Sequence, residues 1–158
     1  QQHWPTDKDN VTAESLRKGN KRIGRHTEFR LTEKWTASAQ SVFKLDGAGT
    51  VGKSTHCGIP WLRFIRQNAD RASRPHFWPF DGFDIPQNQS VIVEIFPSIL
   101  RKRYPKRYNT TDAHDAMCVA QWLKDMDTGG HLTTYFNPPL TAEEREMAKL
   151  EGWILGIY

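Results

Sequence analysis

Cysteine is scarce in this 158-residue chain: Cys57 and Cys118 stand too far apart to suggest a disulfide framework or a zinc knuckle. Both read as small buried apolar residues of a reducing compartment, and the expectation is a cytoplasmic protein. No apolar run approaches the length needed to cross a bilayer, so no membrane partner is expected. The opening Gln1-Gln2-His3-Trp4-Pro5 has neither an initiator Met nor a signal-peptide pattern, and the chain is expected to begin inside a longer protein. His26, His56, His76 and His131 lack ligand spacing and read as structural or surface residues. Repeats and low-complexity tracts are also missing. Neither sign of charge prevails strongly: 22 Lys and Arg against 18 Asp and Glu leave +4, which admits an anionic partner without demanding one.

With 37% hydrophobic and 25% charged residues, the chain is long enough for one globular domain and too short for two. Residues 1–40 are polar and mixed, with a helix expected around Thr12–Lys18 and a basic stretch from Arg17 to Arg25. They are assigned to a loop-rich periphery, and residues 41–158 to the core. In that core Ser41–Leu45 is expected as a strand, followed by a glycine-rich turn from Gly47 to Gly52. Trp61, Leu62, Phe64 and Ile65 suit a helix docked on a sheet. His76–Phe80 is expected to be extended, and Ser90–Phe96 to be a strand closed by Pro97. Apolar residues at 113, 116, 117, 120, 123 and 126 predict a helix over Asp112–Met126. Thr141-Ala-Glu-Glu144 is a capping box opening a last helix. Trp61, Trp78, Trp122 and Trp153 are core candidates. Strands alternating with helices define the α/β class.

The most informative chemistry lies in three carboxylates. Glu94 interrupts the apolar run Val91-Ile-Val-Glu-Ile-Phe-Pro97, where an ionised acid is costly without a partner, and a divalent metal is its simplest partner. Asp112 and Asp115 are three apart on a helix and share a face, whereas His114 points elsewhere. Converging oxygen ligands of this kind suit Mg2+ or Mn2+, and two-metal sites use them to activate water against a phosphodiester. Acids at a helix start also serve as ordinary caps that answer the helix dipole. Between the two halves of the cluster runs Arg101-Lys102-Arg103-Tyr104-Pro105-Lys106-Arg107-Tyr108. Arg101, Lys102, Arg103, Lys106 and Arg107 would hold phosphates without reading bases, and Tyr104 and Tyr108 could stack on unpaired bases. The alternative for the run is a solvated loop.

A competing motif is Gly47-Ala-Gly-Thr-Val-Gly52-Lys53-Ser54, which matches the phosphate-loop pattern and by itself points to a nucleotide triphosphatase. Its context argues against that use. The strand before it is short, and Gly58-Ile-Pro60 is expected to interrupt any helix from Ser54, so the helix should begin near Ile59. A plain glycine-rich turn is the expected role.

Several blocks in one order carry a family resemblance: Arg30-x-Thr32-Glu33, Ser41-Val-Phe, Gly47 to Gly52, Gly58-Ile-Pro-Trp-Leu62, Phe77-Trp-Pro-Phe80, Val91 to Pro97, Asp112-Ala-His-Asp-Ala116 and Glu151-Gly-Trp-Ile154. From about residue 28 onward the chain resembles the uncharacterised predicted RNase H-like nucleases of the RNase H and Holliday-junction-resolvase superfamily. The resemblance implies an RNase H-like mixed sheet flanked by helices, with Glu94 on the fourth strand and Asp112 and Asp115 on the last catalytic helix, all three holding metal. It also implies a first-strand Asp that has no counterpart upstream of Ser41. The chain is therefore expected to be the C-terminal part of such a protein, its first strands missing. The expected function is Mg2+- or Mn2+-dependent hydrolysis of nucleic acid, with DNA and RNA both open. The alternatives are the triphosphatase and a non-catalytic nucleic-acid-binding or protein-binding module of the same fold.

Overall fold

A computed structural model describes residues 24–36, 38–45, 50, 52–70 and 73–158. The helix expected around Thr12–Lys18 and the heart of the glycine-rich turn lie outside the described residues.

The apolar segment after Ser90 organises the fold. β1 (His76–Phe77) runs parallel to β2 (Val91–Ile92), with His76 opposite Val91 and Phe77 opposite Ile92. The His76 amide donates to the Ser90 carbonyl at 2.8 Å, and the Trp78 amide to that of Ile92 at 3.1 Å. Beyond Val93 the pairing changes hands: β3 (Glu94–Ile95) runs parallel to β4 (Ile154–Leu155), with Glu94 opposite Ile154. The single strand expected over Ser90–Phe96 thus exists as two short pieces with different neighbours. Pro97 ends it by opening a 3-10 turn, Pro97–Ile99. Every ladder among the described residues is parallel, which agrees with the α/β class at a coarse level.

Parallel neighbours need a crossover, and the one from β3 to β4 carries three helices. α3 (Thr111–Thr128) begins where the Thr110 side chain accepts a hydrogen bond from the Ala113 amide, and the short α4 (Leu132–Phe136) follows. The expected capping box opens α5 (Ala142–Glu151): Thr141 Oγ1 accepts from the Glu144 amide at 3.2 Å, and the Glu144 carboxylate accepts from the Thr141 amide at 2.9 Å. α5 stops at Gly152, whose φ of +84° suits glycine. A Cβ there would also stand 3.0 Å from the Phe80 ring.

Three of the four candidate tryptophans form the core. Trp78, Trp122 and Trp153 are at most 1% exposed and pack with Leu100, Cys118 and Leu155. Trp78 meets Phe83 and Phe136 edge to face at 5.7 and 5.5 Å, a favoured geometry for aromatic rings.

Four expectations need correction. Arg30, Thr32 and Glu33, placed in the periphery, belong to the interior: α1 (Leu31–Lys34) contains the fully buried Thr32 and Glu33. Ser41–Leu45 is a turn rather than a strand, because the Lys44 amide bonds back to the Ser41 carbonyl at 2.9 Å and Ser41 Oγ to the Glu28 carbonyl at 3.1 Å. α2 (Gly52–Asn68) begins at the glycine-rich turn and runs through Pro60, whose missing amide and ring contact with the carbonyl four residues back weaken the helix there without ending it. Trp61 is 57% exposed, and Leu62, Phe64 and Ile65 are exposed with it, so the helix is not docked on a sheet. Size explains this. α2 is about 25 Å long at 1.5 Å per residue, whereas ladders two residues deep extend only about 7 Å. None of the described helices is long and apolar enough to cross a membrane.

Candidate functional site

Glu94 is answered by a guanidinium. Both of its oxygens accept from Arg30, Oε2 from Nη1 and Oε1 from Nη2, each at 2.8 Å. Such two-point pairing fits the planar fork of Arg to a carboxylate. Arg30 Nε donates to Glu33 Oε1 at 2.8 Å, and Nη1 also reaches the Glu151 carbonyl at 3.1 Å. Glu33 in turn accepts from the amides of Arg30 at 2.9 Å and Val42 at 3.1 Å. Thr32 Oγ1 accepts from the Ile154 amide at 3.1 Å. The Arg30-x-Thr32-Glu33 block therefore ties α1 to β3, β4 and the end of α5. Burial works against the Arg30 charge, but the hydrogen bonds and charges of Glu94 and Glu33 outweigh it and raise its pKa above the ordinary guanidinium value.

The strand acid is also less enclosed than its apolar neighbours imply, with a side chain 44% exposed. Its charge needs no metal to be tolerated at this position.

The helix acids lie at the start of α3, as the spacing requires. Asp112 is exposed in the first turn, and Asp115 is half-buried. Asp115 is held by Arg101, whose Nε and Nη2 donate to Oδ1 and Oδ2. That hydrogen bond, opposed by burial and aided by the Arg101 charge, keeps the Asp115 carboxyl below the usual carboxylate range. Arg101 is raised by the same bond, with the Asp112 charge adding a little. His114 turns inward, and its Nε2 lies 3.5 Å from the buried Cys118 Sγ.

The three acids are consequently divided rather than gathered. Glu94 belongs to the Arg30 cluster, Asp115 to Arg101, and Asp112 faces outward beside them. Among the described residues no three His, Cys, Asp or Glu side chains form a group able to hold a metal ion. Each paired carboxylate found a permanent cation within the chain, which the acid spacing alone could not reveal.

The basic run keeps most of its expected character. Arg101, Lys102 and Arg103 form a 3-10 turn packed against α3; Lys102, Arg103, Lys106 and Arg107 are exposed. Arg101 differs from the other four because its fork is committed to Asp115. Tyr104 is no stacking platform: its ring packs on the core and its hydroxyl donates to Asp125 at 2.8 Å. Burial and that carboxylate push its pKa up to about 12. Tyr108, 46% exposed, is the aromatic side chain the run presents to solvent. Tyr104, Pro105 and Arg107 face Met117, Gln121 and Asp125 across an open cleft of about 280 Å³.

The phosphate-loop motif gains one required feature and lacks another. Gly52, Lys53 and Ser54 open α2 directly, which is the placement a phosphate loop needs and removes the objection from Pro60. The feeding strand is nevertheless missing, since 41–45 is a turn, while residues 46–49 and 51 lie outside the described residues.

The Arg30 cluster was within reach of the sequence. An acid three residues after a helix start is a capping signal, and Glu33 stands there. Nothing local paired Arg30 with Glu94 or Arg101 with Asp115. Comparisons with protein-family models, curated proteins and solved structures find no match for this chain.

Proposed function

We propose that this chain is an RNase H-like, nuclease-type domain that engages the phosphodiester backbone of nucleic acid. One observation carries the reading: four exposed cations, Lys102, Arg103, Lys106 and Arg107, stand on a turn packed against the helix whose first two turns hold Asp112 and Asp115, and on the loop that follows that turn. Cations so arranged attract phosphates whatever the base sequence and release condensed counterions as they bind. Tyr108 supplies an exposed ring for an unpaired base.

Hydrolysis would enlist Mg2+ or Mn2+ as a Lewis acid, with Glu94, Asp112 and Asp115 as its ligands beside the first-strand Asp that the resemblance calls for. As the side chains stand they do not fit that ion, because Glu94 and Asp115 have their oxygens on guanidinium groups. Phosphate binding is the part that these residues support directly. The same pairing favours a second reading, a nucleic-acid-binding module of this fold without catalysis.

The test is anisotropy of labelled single- and double-stranded DNA and RNA over a salt series, followed by cleavage assays with Mn2+. Alanine at 102, 103, 106 and 107 should weaken binding and flatten the logarithmic salt slope by roughly 3, at about 0.7–0.9 for each phosphate no longer neutralised. For a nuclease, Asp115→Asn and Asp112→Asn abolish Mn2+-dependent cleavage while Lys53→Ala spares it. Binding without cleavage selects the module, and ATP hydrolysis abolished by Lys53→Ala selects the triphosphatase. A wild-type chain that binds none of the four nucleic acids at low salt removes the proposal.

A further inference from the structure

The cleft between the basic run and α3 has a chemistry of its own. Met117, Gln121 and Asp125 are each four residues apart and form one row along α3. Tyr104, Pro105 and Arg107 face that row across about 280 Å³. Such a space is smaller than the pockets that take drug-sized ligands, and it suits a single flat ring. Pro105 and Met117 supply apolar surface on its two sides.

Asp125 sets the polar side of the cleft. Glu94 and Asp115 are answered by guanidinium groups, whereas Asp125 is held by neutral donors: the Tyr104 hydroxyl gives to Oδ2 at 2.8 Å and the Gln121 side-chain amide to Oδ1 at 2.7 Å. An ionised carboxylate has about four acceptor sites, so each oxygen keeps one. Because Asp125 is exposed, those sites are open to a ligand. Gln121 also retains a second amide hydrogen beside Oδ1.

Charge and edge chemistry narrow the ligand. Arg107 lines the cleft and the Arg103 charge is felt at the Tyr104 hydroxyl, which disfavours a cation and favours a ring attached to an anion. Of the nucleic-acid bases, guanine alone presents two adjacent donors, N1–H and the N2 amine, with the O6 acceptor beside them. Adenine and cytosine place an acceptor nitrogen next to the amine, where it would oppose a carboxylate oxygen; thymine and uracil have a single N–H between two carbonyls.

Resting on the phosphate-binding reading above, we propose that this cleft holds one unpaired guanine. Asp125 accepts from N1–H and the N2 amine, the Gln121 amide donates to O6, the ring lies between Pro105 and Met117, and Arg107 takes the phosphate. Asp125 stands beyond Asp115 by about 15 Å of helix at 1.5 Å per residue, so the pocket positions a strand and takes no part in cutting it.

Anisotropy of labelled thymidine oligonucleotides with one central guanine, hypoxanthine or adenine tests this on the full chain, an all-thymine strand serving as reference. The guanine strand should bind about tenfold more tightly than the hypoxanthine strand, which lacks only the N2 amine and so one charge-assisted hydrogen bond. Asp125→Asn should erase that preference without weakening the all-thymine strand. Asn keeps an oxygen for Tyr104, so folding is preserved, and an unchanged Tm verifies it. A second arm follows the Gln121 side-chain amide by NMR during titration with guanosine or inosine 5′-monophosphate, and the guanosine form should shift it at lower concentration. A wild type that binds every strand alike overturns the pocket and leaves the phosphate reading standing; so does a guanine preference that survives Asp125→Asn. If no strand binds, the phosphate reading falls and the mononucleotides decide: guanosine monophosphate that leaves the Gln121 signals unmoved, or shifts them no better than inosine monophosphate, overturns the pocket too.

Discussion

Removing the Arg30 side chain is the most telling perturbation. Arg30→Ala leaves Glu33, 1% exposed, with its charge facing only the amides of Arg30 and Val42, and strips Glu94 of both hydrogen bonds. Breaking a buried ion pair from one side costs about 3–5 kcal/mol, because the remaining charge is stranded. Against a total stability of about 5–15 kcal/mol that is a large fraction. For a chain of this size it corresponds to a fall in Tm of about 6–20 °C. Glu94→Gln should cost far less, about 1 kcal/mol, since its side chain is 44% exposed and solvent screens the pair. Arg30→Lys should not rescue, because an ammonium cannot fork to Glu94 while also reaching Glu33. Urea unfolding followed by tryptophan fluorescence suits the measurement, as Trp153 is fully buried and lies against Trp35 at 5.4 Å. A double-mutant cycle should return coupling between positions 30 and 94 of about 0.5–3 kcal/mol. An Arg30→Ala chain within about 1 kcal/mol of wild type refutes the clamp. Strict additivity with Glu94→Gln would show that the pair does not interact, and would reopen a metal as the partner of Glu94.

Two further outcomes follow from the same geometry. Asp115 is depressed in the folded state, so its contribution to stability is complete above its unfolded value near 3.8 and is lost as pH falls through the lower folded value. Carboxyl-carbon NMR should place its midpoint below 3.8, with Arg101→Ala moving it upward; a wild-type midpoint at or above that value means the pair does not persist in solution. Gly152→Ala should cost about 1–2 kcal/mol or more, since a Cβ at φ +84° would also press on the Phe80 ring at 3.0 Å. Calorimetry reads the effect, and an unchanged Tm would show that the turn relaxes freely.

Local chemistry was legible from the residues themselves. The spacing over 113–126 marked the extent of α3, although its buried side chains are His114, Cys118 and Trp122 while Ala113, Ala116 and Ala120 stay exposed; the Thr141 box produced the start of α5, and the Val/Ile run produced the central strand pieces, because each depends on neighbours within a turn or a pleat. The same spacing set Asp112 and Asp115 on one helix face and His114 off it; that His114 is buried came only with the folded structure. It failed where an outcome depended on distant groups. Pro60 read as a boundary, yet a helix that loses one hydrogen bond keeps the rest; Trp61 read as core, yet no sheet wide enough to receive it forms among the described residues. The partners of the carboxylates belong wholly to the tertiary level. Arg30 and Glu94 are 64 residues apart, Arg101 and Asp115 are 14 apart, and no pattern in either stretch says that they meet. A sequence shows that a charge on a strand must be answered, because desolvation is a property of the side chain. What answers it, guanidinium or metal, is decided only when the folded chain brings one of them within hydrogen-bond reach.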